Sequence, residues 1–186
     1  MSVKRVASRY AKSFLELAVE RGILQEVHQD MQQVLAVVAS NRDFALMLKS
    51  PILKSDVKAK VIKEIFSKTA HALTLSFLDI ISKKNREDLL ADIAKEFHLL
   101  YNAHEDIQVA EVTTTFKIDE NMRKVFAEAV KEISGRSKVE LIEKIDKNII
   151  GGYVLRVNDR QLDESMSGKL RALRIQFSSN HYENRI

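Results

Sequence analysis

The paired glycines Gly151 and Gly152 are the residues that most resemble a chemical site, because glycines of this kind can cradle a phosphate. They stand in the segment IIGGYVLRVNDRQLDES, residues 149–165. A phosphate loop opens directly into a helix, whose free N–H groups face the anion. Here the glycines lead into YVLRV, which alternates like a strand, and Asn158-Asp159 provides a turn after which RQL can return as the partner strand. We therefore interpret the glycines as a close approach of the backbone at a strand entrance.

No catalytic centre or metal site is indicated by the other reactive side chains. The sequence has no cysteine, no GxSxG, no GxGxxG and no GKS or GKT phosphate loop, and its many acidic residues include no pair that spacing singles out. The histidines form neither an i, i+4 pair nor an HExxH motif; they are His28, His71, His98, His104 and His181. We predict a protein without catalytic residues, metal or cofactor.

The basic residues do not indicate a nucleic-acid site. The 30 lysines and arginines are interspersed with 26 acidic residues, so the net charge is only +4. The most basic stretch, residues 169–174, has Phe177 nearby, but that ring falls on the apolar side of a predicted helix. A basic outer helix face is the favoured interpretation, and a binding module for RNA or an anionic membrane surface stays as the alternative. No apolar run is long enough to span a membrane.

The first part of the chain is predicted to be a six-helix bundle, residues 1–105. One proline and five glycines in 186 residues leave few helix breaks, and apolar residues recur at helical spacing almost throughout. The fifth helix, in HALTLSFLDIIS, is apolar around most of its circumference. Such a helix is either buried in a bundle or covered by something outside it. Gly22 is expected to end the first helix, Asn41 or Asp43 to cap the third, Ser55 the fourth and Asn85 the sixth.

The rest of the chain, residues 106–186, is predicted to be a small α/β domain. VAEVTTTF (109–116) and KVELIEKID (138–146) are typical of strands; Phe116 is expected on one face with Ala110, Val112 and Thr114, and Ile145 on one side with Val139 and Leu141. Between them Asp119 caps a helix that ends at Gly135. A hairpin and a final helix follow, and that helix has Met166, Leu170, Leu173 and Phe177 along one side. The fold class is therefore mostly α, with a short sheet, a hairpin and a C-terminal helix in the second domain.

Three segments together resemble the delta subunit family of bacterial F-type ATP synthases, whose mitochondrial counterpart is the oligomycin-sensitivity-conferring protein. They are RYAKSFLELA (9–18), SPILKSDVKAKVIKEIF (50–66) and IDKNIIGGYVLRVNDRQLDES (145–165), and the match runs from Val3 to Phe177. The resemblance implies a non-catalytic peripheral-stalk, or stator, subunit. Such a subunit joins the catalytic head to the b stalk, so that the head resists rotation during proton-driven ATP synthesis. It implies indirect membrane association, at the cytoplasmic face of the bacterial plasma (inner) membrane.

The resemblance also implies two contact sites. The N-terminal helix of an alpha subunit would lie against the first and fifth helices, where we nominate Tyr10, Ala11, Phe14, Phe77, Ile80 and Ile81. Each of these six can instead face the bundle core, since a helix has only one circumference to share. The b subunit would contact the second domain, where we nominate Arg156, Arg160, Lys169, Arg171 and Arg174. The chain departs from the family pattern at Glu164 and Ser167 and retains Gly168 and Lys169.

Overall fold

The structure is a computed structural model that describes residues 3–178. The chain divides into two compact units, Met1–His104 and Glu105–Ile186. The division falls one residue before the predicted boundary, where the helical periodicity gives way to β-branched residues.

The first unit contains the six predicted helices. They are α1 (Val3–Glu20), α2 (Leu24–Ser40), α3 (Arg42–Lys49), α4 (Ser55–Phe66), α5 (Ala72–Lys83) and α6 (Leu90–His104), with a 3₁₀ turn at Glu87–Leu89 before α6. Helix α6 packs against both α1 and α2, and α4 packs against α5. The largest fully buried side chains of this core include Phe14, Phe66, Phe97, Met31 and Ile93. The mostly helical prediction for this part is confirmed.

Of the four helix boundaries predicted in the first unit, two are confirmed and two are wrong. Gly22 ends α1 at φ +67°, and the Asn41 side chain accepts a hydrogen bond from the Phe44 amide at the start of α3. Ser55, however, is the first residue of α4 and makes no cap, because its hydroxyl donates to Asn85 Oδ1 at 2.5 Å. Asn85 itself takes φ +53° just after α5 instead of capping α6. The two expected caps are thus paired with each other.

The second unit is a four-stranded sheet with two helices. Its elements are β1 (Ile107–Thr114), α7 (Glu120–Ser134), β2 (Lys138–Ile145), β3 (Tyr153–Val157), β4 (Arg160–Asp163) and α8 (Met166–Ser178), with a 3₁₀ turn at Lys147–Ile149. The strand order is β2-β1-β3-β4, with β1 and β2 parallel and the other neighbours antiparallel. Helix α7 covers one face, where Phe126 and Val130 join Val112 and Leu155 in the core. The α/β prediction, including the hairpin at Asn158-Asp159, is confirmed.

Two residues predicted to share a strand face with residues of this core lie outside the core. Phe116 is 56% exposed because β1 ends at Thr114, whose hydroxyl donates to the Phe116 carbonyl at 2.6 Å and turns the chain. Ile145 is 57% exposed at the end of β2, which is an edge strand. The alternation before these ends is as predicted, since Ala110, Val112 and Thr114 are buried.

The paired glycines lie against the segment that joins β4 to α8. The Gly151 carbonyl accepts from the Met166 amide at 2.9 Å, and the Glu164 amide donates to the Tyr153 carbonyl at 3.0 Å. Gly152 has φ +76°, and a Cβ at this position would lie 2.2 Å from the Glu164 carbonyl oxygen. The interpretation of a close backbone approach is therefore confirmed, and the glycines fix the place at which α8 leaves the sheet.

We expect Gly152→Ala to lower the free energy of unfolding of the second unit by more than about 3 kcal/mol, because a backbone clash adds to the left-handed strain. Gly135→Ala is the matched control: Gly135 has φ +71° but nothing within 4 Å of an added Cβ. The control should cost only about 1–2 kcal/mol, the strain alone. Amide hydrogen exchange of β1 and β3 in the full chain measures both changes. Equal losses in the two variants would contradict the close-approach interpretation.

Candidate functional site

An apolar groove lies between α1 and α5 in the first unit. It has a volume of about 570 Å³. The α1 side contributes Val6, Arg9, Tyr10, Ser13, Phe14 and Leu17, and the α5 side contributes Leu73, Ser76, Phe77, Ile80 and, just beyond the helix, Arg86. Seven of these eleven residues are aliphatic or aromatic, and none is acidic. Because the lining follows helical spacing on both walls, the groove resembles the apolar grooves in which other proteins bind an amphipathic helix.

The floor of the groove is a pair of stacked phenylalanines. The rings of Phe14 and Phe77 are parallel within 8°, with centroids 4.0 Å apart, and Phe14 also contacts Phe97 at 5.5 Å. Both rings are largely buried, so the floor is continuous with the bundle core. Ile80 stands on the α5 wall with half of its surface exposed.

Four of the six residues nominated for this groove line it, and two do not. Tyr10, Phe14, Phe77 and Ile80 are lining residues. Ala11 and Ile81 are 0% and 1% exposed and belong to the core. Ala11 lies with Ala7 and Ala18 on a fully buried small-residue stripe of α1, the helix that packs on α6. Ile81 is about 100° around α5 from Ile80, which turns it into the bundle.

A buried carboxylate holds the start of α5, and nothing in the sequence pattern identified it. Asp30 of α2 is 6% exposed and accepts hydrogen bonds from the Thr74 hydroxyl at 2.5 Å and from the His71 amide at 2.9 Å. The His71 ring in turn accepts from the Leu73 amide at 3.2 Å. Two of the free amides at this helix start are therefore satisfied by side chains. Asp30 fixes the wall of the groove to α2.

The basic residues nominated on the second unit are all exposed but do not form one patch. Arg156 pairs with Gln161 across the hairpin and Arg160 pairs with Val157, so the two arginines lie on opposite faces of the sheet. Lys169 makes an ion pair with Glu164 at 2.7 Å, and this contact raises the pKa of Lys169. Glu164, a position of departure from the family pattern, thus engages the retained lysine.

The apolar residues that the sequence predicted along one side of α8 form an exposed stripe. No residue of α8 is buried. Met166, Leu170, Leu173 and Phe177 are 49%, 53%, 46% and 84% exposed, and at about 100° per residue they share one side of the helix. The same geometry places Lys169 along one edge of this stripe and Arg174 along the other. The stripe is an uncovered surface of the kind that marks a protein contact.

The N-terminus of α8 is fixed by a compact polar turn. Asp163 Oδ1 accepts from the Ser165 hydroxyl at 2.5 Å and from the Ser165 amide at 2.9 Å. The Ser165 hydroxyl oxygen accepts from the Gly168 amide at 3.0 Å, and a Cβ on Gly168 would lie 2.8 Å from Asp163 Oδ2. The hydrogen bonds from the Ser165 hydroxyl and amide, with the charge of Arg171, lower the pKa of Asp163.

Two histidines meet in the first unit, although their sequence spacing did not indicate it. His28 Nε2 lies 3.0 Å from His98 Nδ1, and the His28 ring stacks on Tyr101 with centroids 3.6 Å apart. Within residues 3–178, no group of three or more His, Cys, Asp or Glu side chains is placed to hold a metal ion. His181 lies outside this range. In the same range, no helix is both long enough and apolar enough to cross a membrane.

Known proteins match this chain along nearly its whole length. The sequence model of the family "ATP synthase delta (OSCP) subunit" matches residues 6–177. ATP synthase subunit delta of Cytophaga hutchinsonii is 39% identical over 178 residues, which cover 96% of this chain and 97% of that protein. The subunit delta of Christiangramia forsetii is 36% identical over 182 residues, 98% of each chain. A chain in the cryo-EM structure of the Toxoplasma gondii mitochondrial ATP synthase hexamer shares the fold, with a TM-score of 0.73, 22% identity, and coverage of 92% of this chain and 96% of that one.

The lowered pKa of Asp163 predicts the pH dependence of the turn before α8. A group with a lowered folded pKa stabilises the fold above its unfolded pKa, and that contribution is lost as pH falls through the folded value. We expect the hydrogen-exchange protection of the Gly168 amide to be constant above about pH 5 and to decrease below about pH 4. Asp163→Asn should give lower protection with no such acid dependence. Equal acid dependence in both proteins would show that another group controls the turn.

Proposed function

The chain belongs to the family of ATP synthase delta (OSCP) subunits, and we propose that it holds a helix of an alpha subunit in the groove between α1 and α5. As a member of this family it is a non-catalytic component of the peripheral stalk of F-type ATP synthase. That role replaces the alternative of an RNA or membrane-surface module.

The observation that supports the groove as the head contact is its open apolar floor. Phe14 and Phe77 complete the bundle core from below, while Tyr10 and Ile80 extend the same apolar surface outward. A helix laid on this surface would remove its exposed part from water, which is the main source of affinity in helix-in-groove contacts. Buried apolar anchors chiefly slow dissociation. Slow dissociation is what a subunit needs if it is to hold the head against rotation.

For the stalk side we propose that the b subunit contacts α8. The apolar stripe from Met166 to Phe177 would supply the buried part of that contact, with Lys169 and Arg174 along its edges. Arg171 lies away from the stripe, on the side of α8 that carries Ile175, and takes no part in this contact. Arg156 and Arg160 cannot both meet one stalk helix on one face of the sheet, because the strand register separates them. Of the five basic residues nominated from the sequence, Lys169 and Arg174 therefore carry this proposal.

The subunit is a peripheral part of a membrane-bound complex. We propose the cytoplasmic face of the bacterial plasma (inner) membrane as its location, since the protein would reach the membrane only through its partners. The relatives from Cytophaga and Christiangramia are bacterial proteins, which supports this assignment.

The groove proposal predicts tight binding of a synthetic peptide that comprises the first 25 or so residues of the alpha subunit of the same organism. We expect a Kd near or below 1 μM, about −8 kcal/mol, by isothermal titration calorimetry. Ile80→Asp should weaken binding more than about 10-fold, because it places a charge on the apolar wall. Since Ile80 is 50% exposed, the fold should survive, and far-UV circular dichroism checks this.

Ile52→Asp is the matched control for the groove. Ile52 is 90% exposed in the loop before α4 and lines no part of the groove, so the same charge there should leave the Kd unchanged. If Ile80→Asp bound the alpha-subunit peptide with wild-type affinity, the groove would not be the docking site.

The α8 proposal predicts that Leu170→Asp weakens binding of a peptide from the C-terminal region of the b subunit more than about 10-fold. Ile175→Asp is the control on the same helix, because Ile175 is 62% exposed and lies away from the stripe. Surface plasmon resonance with the full chain compares the two variants. Equal effects, or none, would place the stalk contact elsewhere.

A further inference from the structure

Apolar residues line the groove along its whole length, and charged residues join them at one end only. Phe14 lies against Phe77, and the Arg86 guanidinium lies 5.6 Å from the ring centre of Tyr10. These two contacts show that α1 and α5 run in opposite directions along the groove. Arg9 precedes Tyr10 on α1 and also lines the groove, so Arg9 and Arg86 stand at the same end.

The other levels of the groove carry no charge. Ser13 and Ser76 occupy its middle, and the Ser76 hydroxyl already donates to the Ala72 carbonyl of its own helix at 2.9 Å. Leu17 and Leu73 form the opposite end. A helix that enters this groove thus meets a cationic end and an apolar end.

The backbone holds Arg86 at this position. Asn85 takes φ +53°, and the Arg86 amide then donates to the Ile81 carbonyl at 3.1 Å, which closes the C-terminal turn of α5. The Asn85 side chain is tied to Ser55 at 2.5 Å. The place where Arg86 leaves α5 is consequently set by two hydrogen bonds, and its guanidinium projects over Tyr10 from a fixed base.

Neither arginine has an acidic partner of its own. Within residues 3–178 no ion pair involves Arg9 or Arg86, and no acidic residue lines the groove. Two guanidinium groups beside an apolar surface present a forked set of donors that matches a carboxylate. A docked helix with a neutral or basic end at this position would leave the two guanidinium groups without an anionic partner.

We propose that Arg9 and Arg86 bind a carboxylate side chain at one end of the apolar stripe of the docked helix, and that this contact fixes the direction in which the helix lies. The proposal rests on the proposed function of the groove, since it names the chemistry of the same occupant. The apolar floor supplies affinity in either direction. The charge at one end distinguishes the two directions, as complementary charges do at interfaces generally.

The first test is a double-mutant cycle between the full chain and the alpha-subunit peptide. We expect Arg86→Gln and Arg9→Gln each to weaken binding about 3- to 10-fold, with Arg86→Lys losing less. A peptide whose acidic residue beside the apolar stripe is replaced by its amide should bind the wild-type chain with the same loss. That peptide should not distinguish wild type from Arg86→Gln. Raising the salt concentration should weaken the parent complex and leave the neutralised one nearly unaffected.

Arg5→Gln is the control for net charge, because Arg5 is an exposed residue of α1 that lies outside the groove. It should leave the Kd unchanged. If Arg9→Gln and Arg86→Gln also leave the Kd and its salt dependence unchanged, the proposal is overturned. If the arginine variants weaken binding of the parent and neutralised peptides equally, the arginines contact backbone carbonyls of the docked helix, and the carboxylate proposal is wrong.

The second test measures direction. A nitroxide attached to the acidic end of the peptide should broaden the NMR signals of Tyr10 and Ile80 more strongly than those of Leu17 and Leu73. The reverse pattern would overturn the proposal. The Ile80→Asp result separates this failure from failure of the groove itself: if Ile80→Asp loses binding while the arginine variants do not, the groove remains and only the carboxylate contact falls. If the peptide does not bind at all, both the groove proposal and the carboxylate proposal are wrong.

Discussion

The stacking of Phe14 on Phe77 is the contact on which the surface of the first unit depends. These rings join α1 to α5, and Phe97 of α6 supports them from within. The same two side chains therefore close the core and form the floor of the groove. Because one surface serves both purposes, occupation of the groove would be coupled to bundle stability: a ligand that binds only the folded state stabilises it by mass action. The bundle would be most stable when it is assembled with its partner.

The position of α5 follows from polar contacts that do not depend on the groove. Asp30 links the start of this helix to α2, while Asn85 and its bond to Ser55 shape its end. A buried carboxylate with two donors is costly to disturb, since removing it leaves those donors unsatisfied. Both ends of the α5 wall are thus held by side-chain hydrogen bonds, and the apolar residues between them are free to face outward.

The sequence predicted the elements of this fold well because its local signals agree with one another. Helical spacing, few glycines and the alternation in β1 and β3 each act within a few residues. What it could not predict depends on partners distant in the chain. Ala11 and Ile80 are both apolar residues on periodic helices. Whether each lies in the core or lines the groove depends on whether another helix packs over it, and the sequence pattern does not show that. Arg156 and Arg160 are close in sequence, yet the hairpin register separates them. Periodicity predicts the apolar stripe on α8, but it cannot show whether another part of the chain covers that stripe.

The position of β1 in the sheet has a mechanical consequence. This strand is the first element after α6, and it is paired with β2 over residues 107–114 and with β3 over residues 110–114. A pull on the chain before β1, if directed along the strand, would strain its hydrogen bonds to both neighbours together in shear. An edge strand pulled perpendicular to its own axis would instead break its backbone hydrogen bonds one at a time. Because the chain enters the second unit at a central strand, detaching that strand requires breaking hydrogen bonds to two neighbours, whereas an edge strand has only one.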